Sequence, residues 1–564
     1  MKTDKRFPRQ IIFEYSAIVA FILVATIGSE AAAFQVPIPN KDIEMRWDNS
    51  IRYSYGLRVE GRNRKLFNQR ITDDGNALFD IYDTVTNRVD LLTEFDVLYK
   101  GAIGARISAQ GWYDDAYGSQ SKTNRNLPNS SSYDNNRFSN YTKRFYHGPS
   151  GEILDALIFT KFDLAGMPVS VKGGRHTIYW GEALLIGGAI HGISYSQMPL
   201  DFQKAFASPG VEAKELFRPL NNLSFQMQPL TSLTIAAQYF LQWDSYRFPE
   251  GGTYLGPGDF IFNGPDRQFI GPPLFRTQLR QGEILDPEHR GDVGVAVRWS
   301  PDWLKGTLGF YYRNYSDKIP QILRRGATYH MVYADDIDLF GVSLARPLGR
   351  LSLGMDWNYR RNTPLLTQTF GIMNVFPEQG ETGGARGDTW HLVANVLGLV
   401  PAFSPFGVKI FDTAAWNAEG TFARWETVRQ NPGLFQAVGP GFFCANPGIR
   451  NKFDGCATKN FFGLAGNFTP TWFQALPGMD LSLPLSYSRG IVGNSPVVFG
   501  GNQGTGSYSL AVAANLYARY LFELKYVDFF GPTRETATTV TSQNGLGALL
   551  KDRGHLVFTF RTTF

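Results

Sequence analysis

His555–Phe564 reads HLVFTFRTTF. Successive side chains of a β-strand point to opposite sides. Leu556, Phe558, Phe560, Thr562 and Phe564 therefore share one face, and His555, Val557, Thr559, Arg561 and Thr563 the other. The first face is apolar and aromatic, the second polar and charged. A strand of a soluble sandwich shows the same alternation but rarely ends on an exposed aromatic. The stretch reads as the closing strand of a transmembrane antiparallel β-barrel. The sheet upstream must then close on it, because an open edge is not tolerated in hydrocarbon.

Composition agrees with an all-β membrane protein. The 564-residue chain is 43% hydrophobic with a slightly negative mean hydropathy, too polar for a helical membrane protein of this length. A barrel exposes apolar side chains only at alternate positions and so looks soluble on average. Aromatic residues at 14% and 59 glycines suit interfacial girdles and tight turns. A net charge of +5 from 55 basic and 50 acidic residues, with no basic stripe, points away from nucleic acid.

The first residues carry a targeting pattern. Lys2, Lys5, Arg6 and Arg9 precede the apolar run Ala17–Ile27, and Ala31-Ala32-Ala33 follows as a small-residue cleavage site. Residues 1–33 are expected to be a signal peptide and 34–564 a single barrel domain. An uncleaved anchor is the alternative, but the run is short of the ~20 residues a span needs. Cys444 and Cys456 are the two cysteines; in an exported chain such a close pair is expected to form a disulfide. A metal would want more ligands than these, and no metal or cofactor is expected.

Upstream, period-two runs alternate with polar Gly/Pro/Asn-rich stretches. Ile51, Tyr53, Tyr55, Leu57 and Val59 form the first apolar face; Val293–Trp299, Leu351–Tyr359 and Leu481–Tyr487 repeat the pattern. Short turns are expected around Gly101 and at 164–168, 229–232, 301–306, 347–350, 398–407, 474–480 and 517–520. Long loops are expected at 61–90, 115–152, 181–219, 247–290, 317–333, 362–385, 417–458, 491–505 and 533–551. Strict short–long alternation is what a membrane barrel imposes. Seventeen connections give eighteen strands, or sixteen if one hairpin is spurious, and an even count puts both termini on the periplasmic side. Trp390–Val408 is apolar enough to rival a membrane helix, but Gly398, Pro401, Pro405 and Gly407 make it a hairpin.

One long loop is unlike the rest. Residues 181–219, entered from Trp180, hold Leu184, Leu185, Ile186, Ile190, Ile193, Phe202 and Phe206 among other apolar side chains, whereas exposed loops are polar. The lumen is the place available to bury them, so this segment is expected to fold inward as a plug. Trp180 and Glu182 would form the hinge. Gly187-Gly188 and Pro209-Gly210 would be turns around a short helix at Asp201–Phe206. The candidates to face the lumen or a ligand are Trp180, Glu182, Leu185, Ile186, Ile190, His191, Phe202, Phe206, Lys214 and Glu215. An apolar cavity is expected beside Leu185, Ile186, Ile190, Phe202 and Phe206.

The runs GGRHTIYWGEALLIGGAI (Gly173–Ile190) and SPGVEAKELFRPL (Ser208–Leu220), and Gln238–Phe260 with its GGTYLGPGDF ending, resemble the proteobacterial family catalogued as domain of unknown function 1302. The resemblance implies an exported barrel in the outer membrane of a Gram-negative bacterium, among its lipids and lipopolysaccharide. It also implies traffic of apolar compounds and a periplasmic partner protein, but fixes no substrate and no catalytic residue.

The leading expectation is a channel for hydrophobic or amphipathic small molecules, an apolar-lined pocket suiting such ligands. An export or interaction component working with periplasmic partners is the alternative. A barrel-wall hydrolase is disfavoured: the seven histidines are scattered and no GxSxG elbow occurs. Asp114-Asp115 and Asp335-Asp336-Asp338 lack the spacing of a calcium loop. Gly500–Gly506, GGNQGTG, has no following helix to bind phosphate. Arg324-Arg325 and Arg360-Arg361, near loop bases, are expected to contact lipopolysaccharide phosphates.

Overall fold

Eighteen antiparallel strands form a closed wall, from Ile43–Arg58 to His555–Thr563. This computed structural model describes residues 34–564 except 128–130, 208–212, 272–276, 406–407 and 447–449. The expected signal peptide lies outside the described residues. Each wall strand pairs with its neighbours in sequence. The first and last close the ring in a register running from Ser50 opposite Thr563 to Arg58 opposite His555. One wall strand is broken into Met479–Ser482 and Leu485–Val492. Pro484 stands in the gap and has no N–H to give to the ladder.

Short turns join the strands at the end where the termini lie, and long loops join them at the other. Ala165-Gly166 shows why the turns are tight: φ is 53° and 84°, the left-handed pair of a type I′ hairpin. Within Trp390–Val408 the strand Arg386–Val400 runs to Val400, and the next strand begins at Thr413, so this stretch is not a membrane helix. Among the described residues no helix is long and apolar enough to cross a membrane.

Two loop boundaries are corrected. The second wall strand begins at Thr84, inside the expected loop 61–90, and Thr413–Gln430 runs into the expected loop 417–458. Both strands continue past the apolar zone with polar residues on both faces, such as Thr86 with Asn87 and Glu426 with Thr427, so the period-two signal fades before the ladder does.

The outward face is an apolar belt. Ile158, Ile107 and Val512 are 69%, 57% and 53% exposed, which is stable only against hydrocarbon. Trp47, Tyr99, Trp299 and Trp303 ring the turn end. On Leu351–Pro364 the inward residues Asp356, Asn358 and Arg360 are fully buried, so the barrel interior at that level is filled with protein. The long loops carry structure of their own. Gly371–Ile372, Gln321–Arg325, Thr328–Val332, Gln278–Gln281 and Arg267–Phe269 build a five-stranded sheet at the loop end. Cys444 and Cys456 are joined in the loop between Gln430 and Asn460, with Cα atoms 6.4 Å apart, inside the usual span of such a bond.

Candidate functional site

The chain leaves the wall after His176 and rejoins it at Leu220. Between these points it crosses the lumen, and wall side chains take hold of its backbone. Glu419, inward on Thr413–Gln430, accepts the N–H of Leu184 at 2.7 Å, Leu185 at 3.2 Å and Gly188 at 3.0 Å. One carboxylate thus satisfies three donors around the start of helix Ile186–His191. Asp356 accepts the N–H of Glu182 at 2.8 Å and of Ile193 at 3.1 Å. Arg360 donates to the carbonyls of Ile190 and Gly192. Arg313 donates to those of Ile193 and Tyr195. Backbone that would be unsatisfied away from water is therefore paired by the wall.

Gly187 and Gly188 lie within that helix rather than forming a turn. Their use is proximity: a Cβ on Gly188 would sit 2.6 Å from Glu419 Oε1 and 2.8 Å from Ala183 Cβ. Pro209-Gly210 lies outside the described residues. The second short helix is present at Phe202–Ala207, one residue later than expected.

Beyond Gly192 the filling turns aromatic. Trp180, Ile190, Ile193, Tyr195 and Phe202 join Trp243, Tyr246, Phe248 and Phe262 from the next long loop in one buried cluster. Phe202 stacks on Phe248 at 5.1 Å, and Phe248 on Phe262 at 4.6 Å. Each buried Leu, Ile or Phe contributes roughly 1.5–3 kcal/mol, so the cluster anchors both loops inside the ring. Beside it runs a charged seam. Glu215 bridges Arg52 of the first wall strand at 2.9 Å and Lys204 of the plug at 2.8 Å. Arg247 joins Asp201 to Glu152. Glu250 accepts the N–H of Phe262 at 3.1 Å and of Gly264 at 2.6 Å, and its burial pushes its carboxyl up to about 7.

The sequence candidates divide accordingly. Trp180 is 4% exposed, already inside the cluster, and the departure from the wall is at residue 177 rather than at a Trp180–Glu182 hinge. Ile190 and Phe202 are core residues. His191 is fully buried, with Nδ1 2.9 Å from His391 Nδ1 and Nε2 2.7 Å from the Gly500 carbonyl; it serves the plug–wall contact. Leu184, rather than Leu185, is the exposed apolar residue, at 46%. The side chains of Ile186, Phe206 and Lys214 lie outside what is described. Two hollows border this filling, of about 10 and 30 Å³, each water-sized, and neither is lined by Leu185, Ile190 or Phe202. Larger hollows, about 560 and 400 Å³, lie on the lipid face, around Gly466 and Ala105. Arg360 is also corrected. It points into the lumen and bonds the plug, so it is not a lipopolysaccharide contact.

Sequence reading missed Glu419, Asp356 and His391 as plug anchors, and Asn358, whose amide donates to the His191 carbonyl at 2.8 Å. A signal was present: polar residues at period two in mid-strand face inward, and a full carboxylate there needs a partner.

A search among curated proteins finds no match. Three solved structures are similar in outline. Acinetobacter baumannii OccAB4 is 10% identical, with 93% of this chain and 100% of that one covered at a TM-score of 0.41. Pseudomonas aeruginosa OccD3 (OpdP) is 10% identical, covering 95% and 94% at 0.39. Pseudomonas aeruginosa OpdK, solved with vanillate, is 9% identical, covering 92% and 98% at 0.41. The family model described as "Protein of unknown function (DUF1302)" matches residues 14–564, nearly the whole chain, and the protein belongs to that family.

Proposed function

We propose that this protein is an outer-membrane channel for hydrophobic or amphipathic small molecules, in which residues 177–219 form a movable constriction. The observation that carries the reading is the kind of contact at the plug. Its first part, up to Gly192, is held to the wall chiefly by side-chain hydrogen bonds to backbone, with no covalent tie among the described residues. Such bonds contribute only about 0.5–1.5 kcal/mol each, or up to 3 to a charged group, and exchange readily for water. The aromatic surface that packs against it, Phe248 and Phe262 of the next long loop, is the surface that an apolar solute would meet when the segment shifts. The two hollows that border the filling are water-sized, which supports a passage that opens by that shift.

The test is uptake of a panel of hydrophobic compounds by cells with the protein, without it, and with a variant lacking Gly187–Phe206. Heat-modifiable gel migration establishes that the variant barrel is folded. The channel reading expects uptake to fall without the protein and to rise in the shortened variant. Equal uptake of every compound in all three would leave a closed structural barrel.

A further inference from the structure

We propose that Arg313 and Arg360 receive the carboxylate of an amphipathic solute, in place of the plug carbonyls they now hold. The two arginines share one level of the wall. Arg313 on Thr307–Tyr315 and Arg360 on Leu351–Pro364 are both register partners of Leu339, which lies on the strand between them. Two strand spacings put their backbones about 10 Å apart. Both side chains point into the lumen, and they are 1% and 0% exposed.

Their charge is poorly matched. Among the described residues neither guanidinium has a carboxylate oxygen within 4.0 Å. The acids nearby are spent elsewhere. Asp317 accepts the Tyr195 hydroxyl at 2.8 Å, the Ser196 hydroxyl at 3.2 Å and the Ile319 N–H at 3.0 Å. Asp292 pairs with a third buried cation, Lys318, at 3.6 Å. Asp356, on the same strand as Arg360, accepts the N–H groups of Glu182 and Ile193. Two guanidinium charges are thus left facing the carboxylate of Asp317, and a buried charge without a counter-ion is costly.

What holds the two arginines instead is neutral. Arg313 Nη1 donates to the carbonyls of Ile193 and Tyr195, at 2.8 and 2.7 Å. Arg360 Nη2 donates to those of Ile190 and Gly192, at 2.9 and 3.0 Å. Each guanidinium also lies over a tyrosine ring, Arg360 at 4.1 Å from the Tyr195 centroid and Arg313 at 4.7 Å from that of Tyr315. Arg313 Nε, Arg360 Nη1 and the Tyr315 hydroxyl are buried with no hydrogen-bond partner among the described residues. All three can donate, so together they call for an acceptor.

A carboxylate supplies what the carbonyls do not. It carries the counter-charge, takes two parallel bonds from a guanidinium, and makes bonds roughly twice as strong as those of a neutral acceptor. The body of the solute has a surface to meet, since Tyr195, Tyr315 and Leu339 belong to one cluster with Trp243 and Tyr246. One unmatched positive charge beside an aromatic surface selects an aryl or alkyl carboxylate with a single acid group. The carbonyls belong to the plug, so acid binding and displacement of the plug are one exchange.

This role rests on the channel reading, and two separate readouts keep them apart. Calorimetry on the full-length protein folded in detergent measures binding of benzoate, phenylacetate and octanoate, each beside its neutral amide. Uptake of the same compounds is measured in cells. The expected result is binding of the acids, with uptake of each acid several-fold above its amide. R313Q/R360Q removes acid binding and equalises the two uptakes. Arginines that only latched the plug would behave differently: the same substitution would raise acids and amides alike and leave their ratio unchanged. The variant lacking Gly187–Phe206 adds an independent arm, because it removes the carbonyls and uncovers both arginines. In a bilayer under a salt gradient its reversal potential should lie further toward anions than that of the same variant carrying R313Q/R360Q. Heat-modifiable migration shows whether each variant is folded. No binding of any acid to the wild type, an unchanged acid-to-amide ratio in folded R313Q/R360Q, or equal reversal potentials in the shortened pair overturns the site. Acid binding without uptake of any compound leaves the site standing and removes the channel reading.

Discussion

Strand Thr413–Gln430 and the lumen segment meet at one side chain, Glu419, and they hold their places in different ways. The strand is fixed by two continuous ladders, to Arg386–Val400 and Asn460–Leu476, and by lipid against its outer face. The segment from Glu182 to Gly192 has no ladder. Apart from the bonds within its one short helix, its backbone is paired one group at a time by Glu419, Asp356 and Arg360. Losing one wall side chain leaves seventeen other strands in register, whereas losing one anchor frees several plug groups together. The comparison teaches that the wall is redundant and the filling is not.

The largest effect is therefore expected at Glu419. Glu419→Ala leaves three N–H groups without their acceptor, at about 1–3 kcal/mol for each that stays buried. Single-channel recording should show a higher conductance, while heat-modifiable migration stays that of the wild type. A wild-type current would mean that the aromatic cluster alone holds the plug. On the wall, Leu510→Arg places a charge on the lipid face of Gly506–Leu516, where Leu510 is 47% exposed. It should cost up to about 2–4 kcal/mol in urea unfolding from vesicles without altering conductance. Removing the disulfide with Cys444→Ser and Cys456→Ser opens a loop closed over 12 residues and is expected to cost about 3 kcal/mol. That cost should appear as faster proteolysis of residues 431–459, with the barrel intact.

The smallest effect is a pH slope. Glu250 lies in a long loop, and burial raises its carboxyl from 4.5 to about 7. A raised acid favours the folded state while protonated. Its contribution is complete below about 4.5 and is lost as pH rises through about 7. Glu250→Gln keeps the acceptor for Phe262 and Gly264 and should flatten that part of the stability profile. An unchanged slope between pH 4.5 and 7 would assign it to other groups.

The same contrast decides what the sequence disclosed. Wall strands must put apolar residues out at every second position, so Leu556, Phe558 and the strands upstream announce the barrel, its closure and its eighteen-strand count. The plug announced itself only as misplaced hydrophobicity. Its fixing points obey no period: Glu419 finds Leu184 across 235 residues, and His191 finds His391 across 200. Gly187-Gly188 looked like a turn because glycine ends helices, yet the demand met there was room for a carboxylate. Arg360 was legible and misread. Its parity with Asp356 and Asn358 put it inside, whatever its distance from a loop base.

The central claim, that the plug must move for passage, is tested most directly by locking it. A Cβ on Gly187 would lie 3.3 Å from Thr421 Cγ2 on the wall, so Gly187→Cys with Thr421→Cys places two thiols within reach of a disulfide. Uptake of the hydrophobic panel is measured with this pair oxidised and then reduced, beside a wild-type control given the same reductant. The account predicts uptake suppressed while the lock is closed and restored on reduction, with the wild type unaffected. Equal uptake in the locked and unlocked states would contradict it.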